Sequence, residues 1–274
     1  MEEPGGPVVL LTDFGTADVY VGVMKGVIAG IAPRAQVIDL SHEIAPQDVR
    51  GAALALLFSH TFFPAGAIFC CVVDPGVGTS REPIAVEVEA EGGLHAFVCP
   101  DNGLLTPLLA HCRRAVTLDE GRYHLPDVSS TFHGRDLFAP VSAHLAAGVS
   151  LEELGSARDP DGLIRLDWPQ PHRNERGWKA SIIHIDRFGN LITNLPAVVL
   201  NQEKGLSDNW CDGWQVLLGG HTVRGISPTF ASAPIGSAVA YVGSSGFLEL
   251  ALRQGNAMRE WQAGVDDDVV IERT

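Results

Sequence analysis

Val8-Val9-Leu10-Leu11-Thr12-Asp13-Phe14-Gly15 sets the pattern for the first half of the chain. Four apolar residues in succession predict a strand buried on both faces, and the polar Thr-Asp and the glycine beyond it mark a turn. Residues 37–40 and 67–73 repeat this pattern. Between these runs, residues 21–31 and 48–62 predict helices, closed by Pro33 and Pro64. Residues 83–89 and 95–99 read as further strands. Residues 101–111 and 135–147 read as helices, the second ending at Gly148. Strands alternating with helices predict an α/β fold, with an N-terminal, mostly parallel α/β sandwich covered on both faces.

The character changes after residue 159. Asp-Pro-Asp-Gly, Trp-Pro-Gln-Pro and His-Arg-Asn-Glu-Arg-Gly form a polar, proline-punctuated connection of the kind that joins domains. Beyond it, residues 179–186, 214–218, 238–242, 247–252 and 269–272 are short and strand-like, without a clear helix between them. The expected division is an α/β domain over 1–165, a linker over 166–177, and a smaller antiparallel β-barrel-like domain over 178–274.

Composition narrows the function. A chain of 274 residues buries about 70–75% of its unfolded surface, so it needs no disulfide staple. Its net charge of −14 repels phosphate backbones and anionic lipid, which argues against nucleic acid or a membrane surface as partner. The same charge suits a cationic ligand. Cys70, Cys71, Cys99, Cys112 and Cys211 are odd in number and lack C-x-x-C spacing, against a disulfide framework or zinc site. Cys70 and Cys71 fall inside an apolar run and are expected to behave as small buried hydrophobes. The acidic start, Met-Glu-Glu-Pro-Gly-Gly, lacks the basic region of a signal peptide, and no apolar stretch approaches 18 residues. A soluble, cytoplasmic protein is expected.

In open α/β sheets, ligands bind beyond the carboxyl ends of the strands. Three polar, glycine-containing clusters fall at such positions: Thr12–Gly15 with Asp18 beyond, residues 74–81 (Asp-Pro-Gly-Val-Gly-Thr-Ser-Arg), and residues 132–136 (Phe-His-Gly-Arg-Asp). Taken singly, each has an ordinary structural explanation. Asp13 can cap a turn, Asp74 before Pro75 can be a turn residue with Arg81 its solvated partner, and His133 can be a hydrogen-bonded structural histidine. Gly76-x-Gly78 lacks the third glycine of a dinucleotide fingerprint and the lysine of a P-loop.

Taken together, the ordered motifs resemble the S-adenosylmethionine hydrolase (hydroxide adenosyltransferase) family, relatives of the fluorinating and chlorinating enzymes that use the same substrate. The matching pieces are Leu-Leu-Thr-Asp-Phe-Gly (10–15), Ile-Asp-Leu-Ser-His (38–42), Val-Val-Asp-Pro-Gly-Val-Gly (72–78) and Pro-Asp-Asn-Gly-Leu-Leu (100–105). Thr-Phe-His-Gly-Arg-Asp (131–136), Ile-Asp-Arg-Phe-Gly-Asn-Leu (185–191) and Ser-Ser-Gly-Phe-Leu-Glu (244–249) complete them. They run in order over nearly the whole chain.

The resemblance implies that Asp74, Arg81 and His133 hold an attacking water. The halogenating relatives carry Tyr where Asp74 stands and a hydroxyl-bearing residue where Gly134 stands, so the residues here favour water over halide. It also implies substrate contacts: Asp13 to the ribose hydroxyls, Asp18 and Asp186 to the methionine ammonium, Ser244 and Ser245 near the methionine's polar end. Phe188 and Asn190 would meet adenine, Phe230 would stack on it, and Phe132 joins the substrate-binding set. No role follows for Tyr20 or Gln47, where the halogenating enzymes differ, and residues 204–211 match no family motif. Sites shared between subunits of a homotrimer are a further implication. S-adenosyl-L-methionine carries its own leaving group, so neither metal nor cofactor is expected. A silent S-adenosylmethionine or nucleoside sensor is the rival reading; it would keep Asp13, Asp186 and Asn190 without needing the Asp74, Arg81 and His133 set.

Overall fold

A computed structural model describes residues 6–90, 93–202 and 213–274, divided into two compact units, Met1–Trp168 and Pro169–Thr274. Cys211, residues 204–211 as a whole, and the acidic start up to Gly5 lie outside the described residues.

The first unit is built on the expected buried strands. Val8, Val9, Leu10 and Leu11 of β1 (Val8–Thr12) are fully buried. Val8 and Leu10 enter one hydrophobic cluster while Val9 and Leu11 enter another, so both faces of the strand are covered. Each such side chain contributes about 1.5–3 kcal/mol of burial, which explains why an uninterrupted apolar run holds the sheet's centre. β1 pairs in parallel with β2 (Val37–Ser41) and β3 (Ile68–Val72), and β3 pairs in parallel with β5 (Gly93–Pro100). An antiparallel extension of β4 (Pro83–Ala90), β6 (Cys112–Thr117) and β7 (Ala157–Arg158) completes the order β2-β1-β3-β5-β4-β6-β7. Helix α1 (Tyr20–Ile31) and helix α3 (Ala139–Ala146) share a cluster with one face, and α2 (Val49–Ser59) with the other.

Three local expectations need correction. Residues 101–111 are not a continuous helix: Gly103 sits at φ +92°, Asn102 closes a side-chain turn onto the Leu104 amide, and a 3-10 turn at Leu109–His111 leads into β6. A left-handed residue three positions in stops helix propagation. The 48–62 segment ends as an α-helix at Ser59 and continues as a 3-10 turn, His60–Phe62. The 135–147 segment opens as a π-turn, Gly134–Phe138, before α3, and Gly148 at φ +96° follows as expected of a C-terminal glycine.

The second unit is antiparallel throughout its paired strands: β8 (His172–Arg173), β9 (Gly177–Ile185), β10 (Leu191–Pro196), β11 (Trp214–Leu218), β12 (His221–Arg224), β13 (Ala238–Val242), β14 (Phe247–Leu252) and β15 (Asp268–Arg273). The order β12-β11-β15-β9-β10-β14-β13 brings β12 and β13 close to one another, giving a nearly closed, barrel-like sheet around Trp214, Ile182, Leu250 and Ile271. Strands β8, β10 and β12 and two short helices, α4 (Ala197–Gln202) and α5 (Ala257–Trp261), are elements that the sequence reading did not separate here. Both helices are only a turn or so long, too short for a 3.6-residue period to show.

Candidate active site

Asp74 and Arg81 lie seven residues apart in the loop after β3, and the loop's glycines explain how they meet. A side chain at Gly76 would crowd Cβ of Arg81, 3.2 Å from where its own Cβ would stand. Gly78, at φ +75°, lets the Ser130 carbonyl approach within 2.5 Å of that same hypothetical position. The Gly-x-Gly thus serves close approach of chain to chain, bringing the segment that carries His133 against the Asp74 loop.

Hydrogen bonds join all three side chains of the resulting cluster. Asp74 Oδ1 accepts from Arg81 Nε at 3.1 Å and from the Gly76 amide at 3.2 Å, and Oδ2 accepts from Arg81 Nη2. Arg81 Nη2 also meets His133 Nδ1 at 3.0 Å. Asp74 and Arg81 side chains are each only 5% exposed, so this ion pair is little screened by solvent. The guanidinium lies over the Phe138 ring, 5.4 Å from its centroid, and its Nη1 is buried without a partner.

The Arg81–His133 contact fixes a proton. Arginine carries no acceptor, so Nδ1 of His133 must accept, which leaves the imidazole neutral with its hydrogen on Nε2. Burial first, then the Arg81 charge, holds the His133 pKa below its ordinary value of 6.5, against the opposite pulls of Asp74 and Asp136. Asp136 steadies this segment from behind. Its buried carboxylate accepts from Arg135 Nε at 2.5 Å and from the Ser129 amide at 2.9 Å. Burial pushes the Asp136 carboxyl up, but these bonds and the Arg135 charge outweigh it and leave it below its ordinary value.

Asp74 and His133 open onto a cavity of about 410 Å³ that Asp13 and Phe132 also line. Asp13 Oδ2 accepts from the Gln47 amide at 2.8 Å. The wall beside it is aromatic: Phe14, Tyr20 and Phe132 meet pairwise with ring centroids 5.2–5.9 Å apart. Tyr20 and Gln47, to which the sequence reading attached no role, both line the cavity. Gln47 does so at φ +67°, an uncommon conformation for a residue with a side chain. Their signals in the sequence were the difference from the halogenating relatives at both positions and adjacency, Tyr20 two residues beyond Asp18 and Gln47 shortly after the 38–42 motif. Asp18 itself is exposed and is not among the lining residues. Gly134 lines the cavity too, and a Cβ there would stand 3.1 Å from the Phe132 ring, 3.3 Å from Met24 Sδ and 3.4 Å from the Phe14 ring.

The remaining predicted contacts belong to the second unit. Asp186 shapes its own turn: Oδ1 accepts from the Phe188 and Asn190 amides at 2.9 and 2.8 Å, and Oδ2 accepts from Asn190 Nδ2 at 2.8 Å. One N–H of the Asn190 amide is spent on this bond, so its carbonyl and second N–H stay open to a ligand. The Phe188 side chain stands on the surface, 74% exposed. Ser245 donates to Glu249 Oε1 at 3.2 Å and Tyr241 donates to Oε2 at 2.7 Å, with the Phe230 ring 5.9 Å from that of Tyr241. With its proton committed to Glu249, Ser245 offers a ligand only lone pairs, a match for a hydrogen donor such as an ammonium group. Ser244 is exposed.

Comparison with known proteins agrees over both units. Residues 8–155 match the family model of the SAM hydroxide adenosyltransferase N-terminal domain, and residues 180–270 match that of its C-terminal domain. The chain is 41% identical over 260 residues to the (R)-S-adenosyl-L-methionine hydrolase of Thermus thermophilus, covering 92% of this chain and 93% of that one. It is 31% identical over 278 residues to a fluorinase of an Actinoplanes species, covering 92% of each. A crystal structure of an uncharacterized conserved protein from Thermotoga maritima superposes with a TM-score of 0.87 at 33% identity, over 97% of this chain and all of that one.

Proposed function

This chain belongs to the SAM hydroxide adenosyltransferase family, and from that premise we propose that it hydrolyses S-adenosyl-L-methionine to adenosine and L-methionine by in-line attack of water on the ribose C5′. The observation that carries this reading is the Asp74–Arg81–His133 cluster at the wall of a cavity that Asp13 shares.

A sulfonium departs as a neutral thioether, so no acid, metal or cofactor is required to assist it. The enzyme has to hold a water oxygen about 3 Å from C5′ and in line with the C–S bond. Free hydroxide at pH 7 would cost about 12 kcal/mol, since water's pKa is about 15.7 and each unit is about 1.36 kcal/mol. Proton loss therefore accompanies attack. His133 is a poor recipient, because Nε2 already carries a hydrogen and the Nδ1 lone pair faces Arg81. Asp74 is the better one: a carboxylate accepts about four hydrogen bonds, and three are accounted for. Asp74 takes the proton, His133 Nε2–H orients the water, and Arg81 holds both groups while stabilising negative charge as it develops.

Around this centre, Asp13 holds the ribose hydroxyls and Phe132 closes the wall beside it. Asp18 and Asp186 attract the methionine ammonium, with Ser244 and Ser245 at the same polar end. Asn190 and Phe188 meet the adenine, and Phe230 stacks on it. These residues are split between the two compact units; in a homotrimer, the second unit of a neighbouring copy completes each site. The 74% exposure of Phe188 favours that arrangement, because a large apolar ring gains by being covered. The described cysteines are free thiols, which suits a reducing cytoplasm. Among the described residues no helix is long and apolar enough to cross a membrane.

Halogenation is disfavoured by Asp74 and by the crowding at Gly134. A silent sensor would have no use for a buried Asp74–Arg81 pair held against His133. The deciding experiment is incubation of the purified protein with S-adenosyl-L-methionine in ¹⁸O-labelled water, with both sulfonium epimers supplied and products separated by chromatography. Adenosine labelled at its 5′ oxygen is expected; binding without adenosine from either epimer would leave the sensor standing instead.

A further inference from the structure

The 38–42 motif has no part in the chemistry above, yet it carries a hydrogen-bonded chain that runs from buried Thr12 and His42 out to half-exposed Asp39. Thr12 Oγ1 lies 2.9 Å from His42 Nδ1, His42 Nε2 lies 3.0 Å from Asp39 Oδ1, and Lys25 Nζ reaches Asp39 Oδ2 at 2.6 Å. Carboxylate, imidazole and hydroxyl in this order are the parts of a nucleophilic triad. Thr12, however, is 0% exposed, so no electrophile reaches its oxygen.

The hydrogen bonds settle where the protons are. The Asp39 carboxylate only accepts, which puts a hydrogen on His42 Nε2. The Phe14 amide donates to Thr12 Oγ1 at 3.2 Å. Were Nδ1 also to carry a hydrogen, the Thr12 hydroxyl would be a wholly buried donor without an acceptor, at a cost of about 1–3 kcal/mol. The satisfied arrangement runs from the Thr12 hydroxyl to Nδ1, and from Nε2–H to Asp39. The His42 carbonyl adds a bond from the Gly15 amide at 2.7 Å. The chain on both sides of Asp13 is therefore tied, directly or through Thr12, to one histidine.

We propose that His42, braced by Asp39, is a positioning residue that locks the Thr12–Gly15 turn so that the Asp13 carboxylate meets the substrate's ribose hydroxyls already oriented. The proposal rests on the assignment of Asp13 to the ribose. Preorganisation of this kind strengthens binding by removing an ordering cost, and leaves the attack at C5′ untouched.

Thr12→Val removes the hydroxyl and keeps the shape; Thr12→Ser keeps the hydroxyl. Thr12→Val should raise KM for S-adenosyl-L-methionine about tenfold with kcat changed less than about threefold, while Thr12→Ser restores KM. The Kd for adenosine, measured by calorimetry, should weaken by a similar factor. On an Asp13→Ala background the Thr12→Val penalty should vanish, since there is no carboxylate left to orient. If Thr12→Val does not fold, Asp39→Ala, at a half-exposed position, should raise KM about threefold by freeing the imidazole. A KM within about twofold of the parent in the folded variant, or penalties that simply add on the Asp13→Ala background, would overturn the proposal. A parent protein that binds adenosine but cleaves nothing sinks the hydrolytic reading alone, and the calorimetric series still decides this one. A parent that binds no adenosine sinks both.

Discussion

Arg81 stands between Asp74 and His133, donating Nη2 to the carboxylate and also to Nδ1 of the imidazole at 3.0 Å. One cation thereby assigns two different roles to its neighbours, an acceptor on one side and an Nε2–H donor on the other. Asp74→Asn should then lower kcat by about 10²–10⁴-fold with little change in KM, the range expected for loss of a general base. His133→Gln, whose amide can still donate to the water, should cost less. Steady-state kinetics on the two variants checks the order; a larger loss in His133→Gln would move the base to the histidine.

Activity should also persist into mildly acidic solution. Burial and the Arg81 charge keep His133 neutral below its ordinary 6.5, so the Nε2–H tautomer survives as pH falls past that value. A kcat/KM profile should place its acid limb below pH 6.5, and the limb should move upward in Arg81→Ala, where a cation is no longer held beside the ring. A profile unmoved by that substitution would mean that another group titrates.

Stability should fall on the acid side for a related reason. His95, His124, His133 and His144 all have pKa values lowered chiefly by burial. Each binds a proton more readily once unfolded, so the unfolded chain gains protons first as pH drops below 6.5, and stability declines until the folded values are passed. Urea unfolding at a series of pH values should show a midpoint that drops between pH 6.5 and the onset of carboxylate titration. His95→Phe should flatten part of that drop, because it removes a fully buried imidazole with no hydrogen-bond partner on either nitrogen.

Gly134→Ser imitates the halogenating relatives at one position. The new Cβ would press on Phe132, Met24 and Phe14, and overpacking of this kind costs about 1–3 kcal/mol. A lowered Tm and slower hydrolysis are expected, with no halogenated nucleoside formed in chloride or fluoride. Chromatographic detection of such a product would show that Asp74 alone does not decide against halide.

Thiol chemistry offers an independent check on the sheet. Burial raises the Cys70 thiol to about 12 despite a Ser142 hydrogen bond, and pushes Cys71 and Cys99 up as well. Alkylation at pH 8, followed by peptide mapping, should label these three only as fast as the protein unfolds. Rapid labelling of Cys71 in folded protein would place β3 at a surface.

Much of the architecture was readable from local pattern. The runs at 8–12, 214–218, 238–242 and 247–252 fall on β1, β11, β13 and β14 without adjustment. Residues 101–111 misled because Gly103 and Asn102 act through backbone conformation and a side-chain turn, which apolar periodicity does not register. Tyr20 and Gln47 received no role from the sequence because lining a cavity is a property of the folded surface.

The order of motifs along this chain determined its family and the residue types available for chemistry, since strand-forming runs and turn glycines act within a few neighbours. Tertiary structure alone decided that Arg81 reaches His133 across 52 positions, that Gly78 admits the Ser130 carbonyl, and that His42 ties down the residues flanking Asp13. Those relations depend on the packing of both sheet faces bringing distant loops to one end, and hydrogen-bond geometry then assigns the protons, which no stretch of sequence carries by itself.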